Sequence, residues 1–214
     1  MIDKDAVLWS APERERAGRP LLVLLHGYGS HEGDLFSLAP GLPLDPVIAS
    51  LRAPLRAGQG NAWFPLTAET FADDMEALTD AAARDVLDWL DTTESTQVGI
   101  LGFSQGGATA LQVLRLAPER IAYTVMLSGF VVGADHPGDA ALAAVRPPVF
   151  WGRGTVDRVI PAPAVDWTAV WLPRHAETTT RVYEDLAHGI SREELVDINR
   201  FITRHLPNEG TQGS

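Results

Sequence analysis

The stretch ILGFSQGGAT, Ile100 to Thr109, runs an apolar segment straight into a serine flanked by glycines. Gly102-Phe103-Ser104-Gln105-Gly106 matches G-x-S-x-G, with the β-rich QVGIL before it and the helix-forming GATALQVLRLA after it. A strand that reverses into a helix within so few residues forces its central residue into a strained backbone. Side chains two positions away on either side would then collide. Glycine at 102 and 106 removes them and leaves the Ser104 hydroxyl exposed at the tip, near the positive end of a helix dipole. Gly107 adds a further point of close approach. The segment reads as a nucleophile elbow rather than a chance match in a Gly-rich loop, because strand and helix stand where the turn needs them.

The chain on either side of this turn alternates regularly. Short apolar, β-rich runs occur at LLVLLHG (Leu21–Gly27), VIASLRAP, QVGILGFS, AYTVMLSGF, PPVFWGRG and TTTRVYED, each followed by a turn or a helical pattern. Continuous apolarity without strict alternation predicts strands buried on both faces, as in a parallel sheet covered by helices. From Thr70 to Asp91, Phe71, Met75, Leu78, Ala82, Val86, Trp89 and Leu90 recur at three- and four-residue steps, giving one apolar stripe on an acidic helix. Asp73, Asp74, Glu76, Asp80, Asp85 and Asp88 fall largely off that stripe. Near the end, Ser191 with Glu194 forms a capping-box pattern ahead of a second amphipathic helix marked by Leu195, Ile198, Ile202 and Leu206. Strands and helices alternating throughout predict an α/β doubly wound domain, whose functional residues collect at the carboxyl ends of the strands.

Composition narrows the partners. The chain has 214 residues, 45% of them hydrophobic and 21% charged, enough for one sizeable core but hardly for two full domains. Residues 1–207 are expected to form one domain, and 208–214, within the polar PNEGTQGS, a flexible tail. Cysteine is absent, so disulfide and thiolate chemistry are excluded and any metal would need His and carboxylates. No metal or organic cofactor is expected. The N-terminal MIDKDAVLWSAPERERAGRP has no uninterrupted apolar core of an export signal, and no apolar run is long enough to span a bilayer, so a cytoplasmic protein is expected. A formal net charge of −11 disfavours nucleic acid and stable docking on anionic membranes.

A serine hydroxyl is a weak nucleophile near neutral pH, so Ser104 needs a base and a group to orient that base. In this type of fold the order is Ser, acid, His. His175, His188 and His205 all follow Ser104. His205 falls on the terminal helix and His175 at the wrong end of the last strand, whereas His188, in EDLAHGIS, lies just beyond that strand. Position selects His188. Asp157, in GRGTVDRVIP, follows the preceding strand and is the candidate acid. Asp135, Asp139 and Asp166 lie in a polar excursion or a helical pattern, and Asp185 is too near His188. Backbone N–H groups must also await the negative charge of a tetrahedral intermediate. Gln105 follows the nucleophile, and Tyr28 sits in LLHGYGS after the first strong strand, so these two amides are the expected oxyanion donors. His26 precedes Ser104 and reads as structural.

LLHGYGS, RAP, AWF, GFSQGG, LSGF, GTVDRVIP and AHGI occur in an order that resembles the carboxylesterase/phospholipase family of serine hydrolases, which includes acyl-protein thioesterases and bacterial carboxylesterases. The resemblance covers nearly the whole chain, and GFSQGG is its most specific part. It implies an α/β-hydrolase without a large lid, a triad at Ser104, Asp157 and His188, and oxyanion donors at Tyr28 and Gln105. Three positions depart from the family pattern: Tyr28 replaces an aliphatic residue, Arg153 a common His, and Pro65 a frequent Asp. None removes a triad member, so they bear on substrate preference rather than on reaction type.

The expected activity is hydrolysis of small-molecule carboxylic esters with short to medium acyl chains through an acyl-enzyme. Lysophospholipase and protein-acyl thioesterase are the alternatives, and a non-catalytic ligand-binding protein of the same fold is a more distant one. Trp63, Phe64 and Phe130 lie on loops that the resemblance brings near the serine, where they either suit an acyl chain or simply close the core. Oligomeric state is not legible.

Overall fold

The computed structural model describes residues 1–66, 75–133 and 135–207. In chain order they form β1 (Leu8–Trp9), β2 (Leu21–Leu25), α1 (Gly33–Phe36), β3 (Val47–Leu51), β4 (Leu55–Ala57), β5 (Gly60–Ala62) and α2 (Met75–Leu90). There follow β6 (Val98–Phe103), α3 (Gln105–Leu116), β7 (Tyr123–Leu127), α4 (Asp139–Val145), β8 (Pro148–Gly154), α5 (Ala162–His175), β9 (Glu177–Tyr183) and α6 (Arg192–His205). Phe71, Asp73, Asp74 and the tail 208–214 lie outside the described residues.

Seven strands form one sheet in the order β1-β3-β2-β6-β7-β8-β9, parallel throughout except for β1, which runs antiparallel to β3. Strand alternation splits the core in two. Leu21, Val23 and Leu25 of β2 face one cluster with Ala82, Val86 and Trp89 of α2, Leu111 and Leu114 of α3, and Trp171 of α5. Leu22 and Leu24 face the other, with Leu35 of α1 and Ile198, Phe201 and Ile202 of α6. Helices thus cover both faces, and β2, β3 and β7 are buried at every residue. This is the α/β-hydrolase fold, with no inserted lid domain among the described residues.

The last strand corrects the expectation of burial on both faces. β9 is the sheet edge, and Thr180, Arg181 and Val182 are exposed, because no further strand follows to cover it. Two features left no pattern in the sequence. β1 is only two residues long, and β4 and β5 form a separate three-residue hairpin whose turn passes through Gly58 at φ 60°. Neither is long enough to show a period.

The parallel order brings the loops after β2, β6, β7, β8 and β9 to one edge, where the candidate residues lie. Among the described residues no helix is long and apolar enough to cross a membrane.

Candidate active site

Ser104 is held at the junction of β6 and α3 with φ 54° and ψ −117°, a left-handed backbone that non-glycine residues rarely adopt. Its own N–H donates to the Leu127 carbonyl at 2.8 Å, and its carbonyl accepts from the Ala108 N–H at 3.0 Å. A Cβ on Gly102 would run into the Gly106 carbonyl, and one on Gly106 into the Leu25 carbonyl of the neighbouring strand. The two glycines therefore let α3 start directly against β2 and β6.

Asp157 and His188 come from different loops that are laced together. The Thr155 N–H donates to the Tyr183 carbonyl at 3.0 Å, the Val156 N–H to the Leu186 carbonyl at 3.1 Å, and the Asp185 N–H to Thr155 Oγ1 at 2.9 Å. On this frame His188 Nδ1 meets Asp157 Oδ2 at 2.7 Å. Asp157 Oδ1 accepts the N–H groups of Val159 at 2.8 Å and Ile160 at 3.3 Å. Burial works against the Asp157 carboxylate, but the His188 hydrogen bond and these two amides outweigh it and hold its pKa below the usual carboxylate value. An ionised Asp157 fixes the proton on Nδ1 and leaves Nε2 as the basic nitrogen. His188 packs on Phe103 at a ring separation of 4.8 Å and lines the same cavity as Ser104. No hydrogen bond joins Ser104 Oγ to His188 among the described residues.

The loop after β2 passes over the elbow. Its Gly29 N–H donates to the Asn61 carbonyl and the Asn61 N–H to the Ser30 carbonyl, each at 2.8 Å, which ties it to β5. A Cβ on Gly27 would touch the Ser104 Cβ at 3.6 Å, so the loop lies directly against the serine. Neither the Tyr28 nor the Gln105 backbone N–H has a partner among the described residues. His26 is fully buried beneath this loop. Its Nε2 accepts the Ala53 N–H at 3.2 Å, its Nδ1 lies 2.8 Å from the Gly27 carbonyl, and burial lowers its pKa. It is a neutral strut.

Of the three aromatic residues expected near the serine, Phe64 and Phe130 line the cavity and Trp63 does not. The Trp63 indole N–H instead donates to the His26 carbonyl at 2.7 Å, deep in the core. The side chain of Gln105 has a role the sequence did not reveal. Its Oε1 accepts the Trp63 N–H at 2.9 Å and its Nε2 donates to the Phe64 carbonyl at 2.7 Å, clamping the Trp63–Phe64 segment to the elbow. Only its place beside the serine in GFSQGG singled it out.

The cavity over Ser104 encloses about 740 Å³, large enough for a medium-sized ester, and Leu66, Met75, Val132, Ile160 and Pro163 add to its apolar wall. Tyr28, 47% exposed, stands at its edge. Arg153 lines a separate cavity of about 250 Å³ with Asp157, its guanidinium 5.4 Å from the Trp151 ring centre. The remaining histidines stay away from the serine: His175 stacks on Trp171 and His205 packs on Phe201. Asp139 pairs with Arg115. Among the described residues no group of three or more His, Asp or Glu side chains is placed to hold a metal ion.

Comparison with known proteins agrees with this architecture. The sequence model of the Phospholipase/Carboxylesterase family matches residues 10–206. The chain is 28% identical over 178 residues to carboxylesterase SOBER1 of Arabidopsis thaliana, covering 79% of this chain and 76% of the relative. It is 27% identical over 230 residues to acyl-protein thioesterase 1 of Candida albicans, covering 89% and 94%. Among solved structures, that of esterase PE8 superposes with a TM-score of 0.71 at 27% identity, over 94% of this chain and 97% of the other. With a match spanning nearly all of its length, the chain belongs to the phospholipase/carboxylesterase family of α/β-hydrolases.

Proposed function

We propose that this carboxylic ester hydrolase cleaves small esters of short to medium acyl chain length with Ser104 as nucleophile, His188 as general base and acid, and Asp157 as the group that orients His188. Ser104 Oγ attacks the ester carbonyl carbon while His188 Nε2 takes its proton. The carbonyl π pair moves onto oxygen, where the N–H groups of Tyr28 and Gln105 receive it. As the carbonyl re-forms, the bond to the alcohol oxygen breaks, and His188 returns the proton to that oxygen. Water then attacks the acyl-enzyme with the same base, releasing the acid and restoring Ser104.

The observation that carries this reading is the 2.7 Å contact by which Asp157 holds His188, which itself lines the cavity that Ser104 enters from the elbow. The missing Ser104–His188 hydrogen bond does not oppose it, since such bonds are often long before substrate arrives. The same groups would open a thioester, and the similarity to the Candida thioesterase supports that as a second reading.

A fluorophosphonate should label Ser104, located by peptide mass. Ser104→Ala should lower turnover of a p-nitrophenyl ester by at least about a thousandfold. Labelling elsewhere, or unchanged turnover by the folded variant, would refute the assignment. Esters of graded acyl length, an acyl-CoA and a lysophospholipid tested on one preparation would rank the substrates.

A further inference from the structure

The wall of the active-site cavity is apolar or backbone apart from a few side chains, Glu76 and His188 among them. Glu76 lies on the first described turn of α2. Among the described residues its carboxylate has no hydrogen-bond or ion-pair partner. Two other acids of α2 are matched. Asp80 accepts from Gln112 Nε2 at 2.5 Å and faces His136, and Asp85 meets the terminal amino group of Met1 at 2.5 Å. Glu76 is set beside the cavity by a specific backbone feature. Its Oε2 packs on Gly133, which has φ 74°, and any Cβ at 133 would run into the carboxylate.

We infer that Glu76 makes this cavity selective for esters carrying a cationic ammonium group away from the scissile bond, an inference that rests on the ester-hydrolase reading above. A carboxylate facing apolar walls is screened less than one on an open surface, so it discriminates charge more strongly. The rings of Tyr28, Phe64 and Phe130 line the same space, and aromatic faces attract ammonium groups. The net charge of −11 draws cations to the molecule as a whole. The same carboxylate disfavours an ester ending in a second carboxylate.

The test compares kcat/KM for an ester bearing a terminal trimethylammonium group with that for its neutral tert-butyl isostere, at fixed ionic strength. One such pair carries the group on the acyl chain and a second carries it on the alcohol, which tells the two placements apart. Wild type should favour the cationic member of at least one pair by about fivefold, the effect of one partly exposed opposite charge. Glu76→Gln should remove most of that preference, chiefly through KM, and Glu76→Lys should reverse it. Equal rates for both members in wild type, or a preference that survives Glu76→Gln, would overturn the inference.

A measurement on wild type alone guards against a poorly folded variant. An alkyltrimethylammonium ion should inhibit competitively at lower concentration than its tert-butyl isostere, and equal inhibition counts against a cation site. Ser104→Ala separates the two readings. If it hydrolyses both members of a pair at wild-type rates, the proposed reaction fails. If it hydrolyses neither and wild type shows no charge preference, only the cation site fails.

Discussion

At Gly106 the constraint is one of hard contact: its Cα faces the Leu25 carbonyl too closely for any side chain. Gly106→Ala must therefore move β2 or α3. The expected outcome is a loss of at least about 2 kcal/mol in unfolding free energy together with slowed fluorophosphonate labelling, read by denaturant titration and mass spectrometry. In the proposed mechanism Asp157 acts on the chemistry instead. Asp157→Asn should leave the fold intact yet cut kcat by about a thousandfold or more, because an amide no longer favours the imidazole form with its proton on Nδ1. Its native pKa is depressed, so the stability its carboxylate supplies is present above the ordinary carboxylate value. That share is lost as pH falls through the lower native value. The stability gap between wild type and Asp157→Asn should thus narrow in strong acid. These residues were legible because each stands next to a recognisable strand end. The clamp made by the Gln105 side chain was not, because its partners at Trp63 and Phe64 are some forty residues away.

Among the elements, α6 shows how a local pattern can be half right. Ser191 Oγ accepts the Glu194 N–H at 3.0 Å, one limb of the expected capping box. The other limb is absent: the Glu194 carboxyl turns inward against Gly152 of β8, fully buried, with neither oxygen hydrogen-bonded among the described residues. Burial pushes its pKa up to about 7. The sign follows from that shift. The neutral acid costs little below its unfolded value of 4.5, and the folded state loses stability as pH rises towards 7. Glu194→Gln should therefore gain on wild type by up to a few kcal/mol, on the order of the shift converted to free energy, between pH 4.5 and 7. Parallel chemical denaturation of both proteins across that range checks it, and a constant difference would contradict it. Amphipathic periods in α2 and α6 are visible in the sequence because a helix repeats its buried face every three to four residues. β9 misled because a Thr- and Val-rich run looks the same at a sheet edge as in its centre.

On the scale of the whole molecule, buried Arg115 joins parts that no local pattern connects. It pairs with Asp139 at 2.5 and 2.9 Å, donates to the Val132 carbonyl at 2.7 Å and lies 4.9 Å from the Trp171 ring centre. It thereby ties α3 to α4, α5 and the wall of the active-site cavity. Arg115→Met should cost about 3 kcal/mol, because Asp139 and the Val132 carbonyl lose their donor, and it should lower Tm accordingly. An unchanged Tm would show that water replaces the contacts. The sequence by itself determined the alternating α/β order, the elbow at Ser104 and the loops that carry Asp157 and His188, since apolar period and glycine placement are properties of short segments. Only the tertiary structure decided that Asp157 and His188 meet, that Phe64 and Phe130 line the cavity while Trp63 closes the core, and that Glu76 faces that cavity. Those outcomes depend on which distant surfaces pack together, and contact across the sheet is set by the whole chain rather than by any stretch of it.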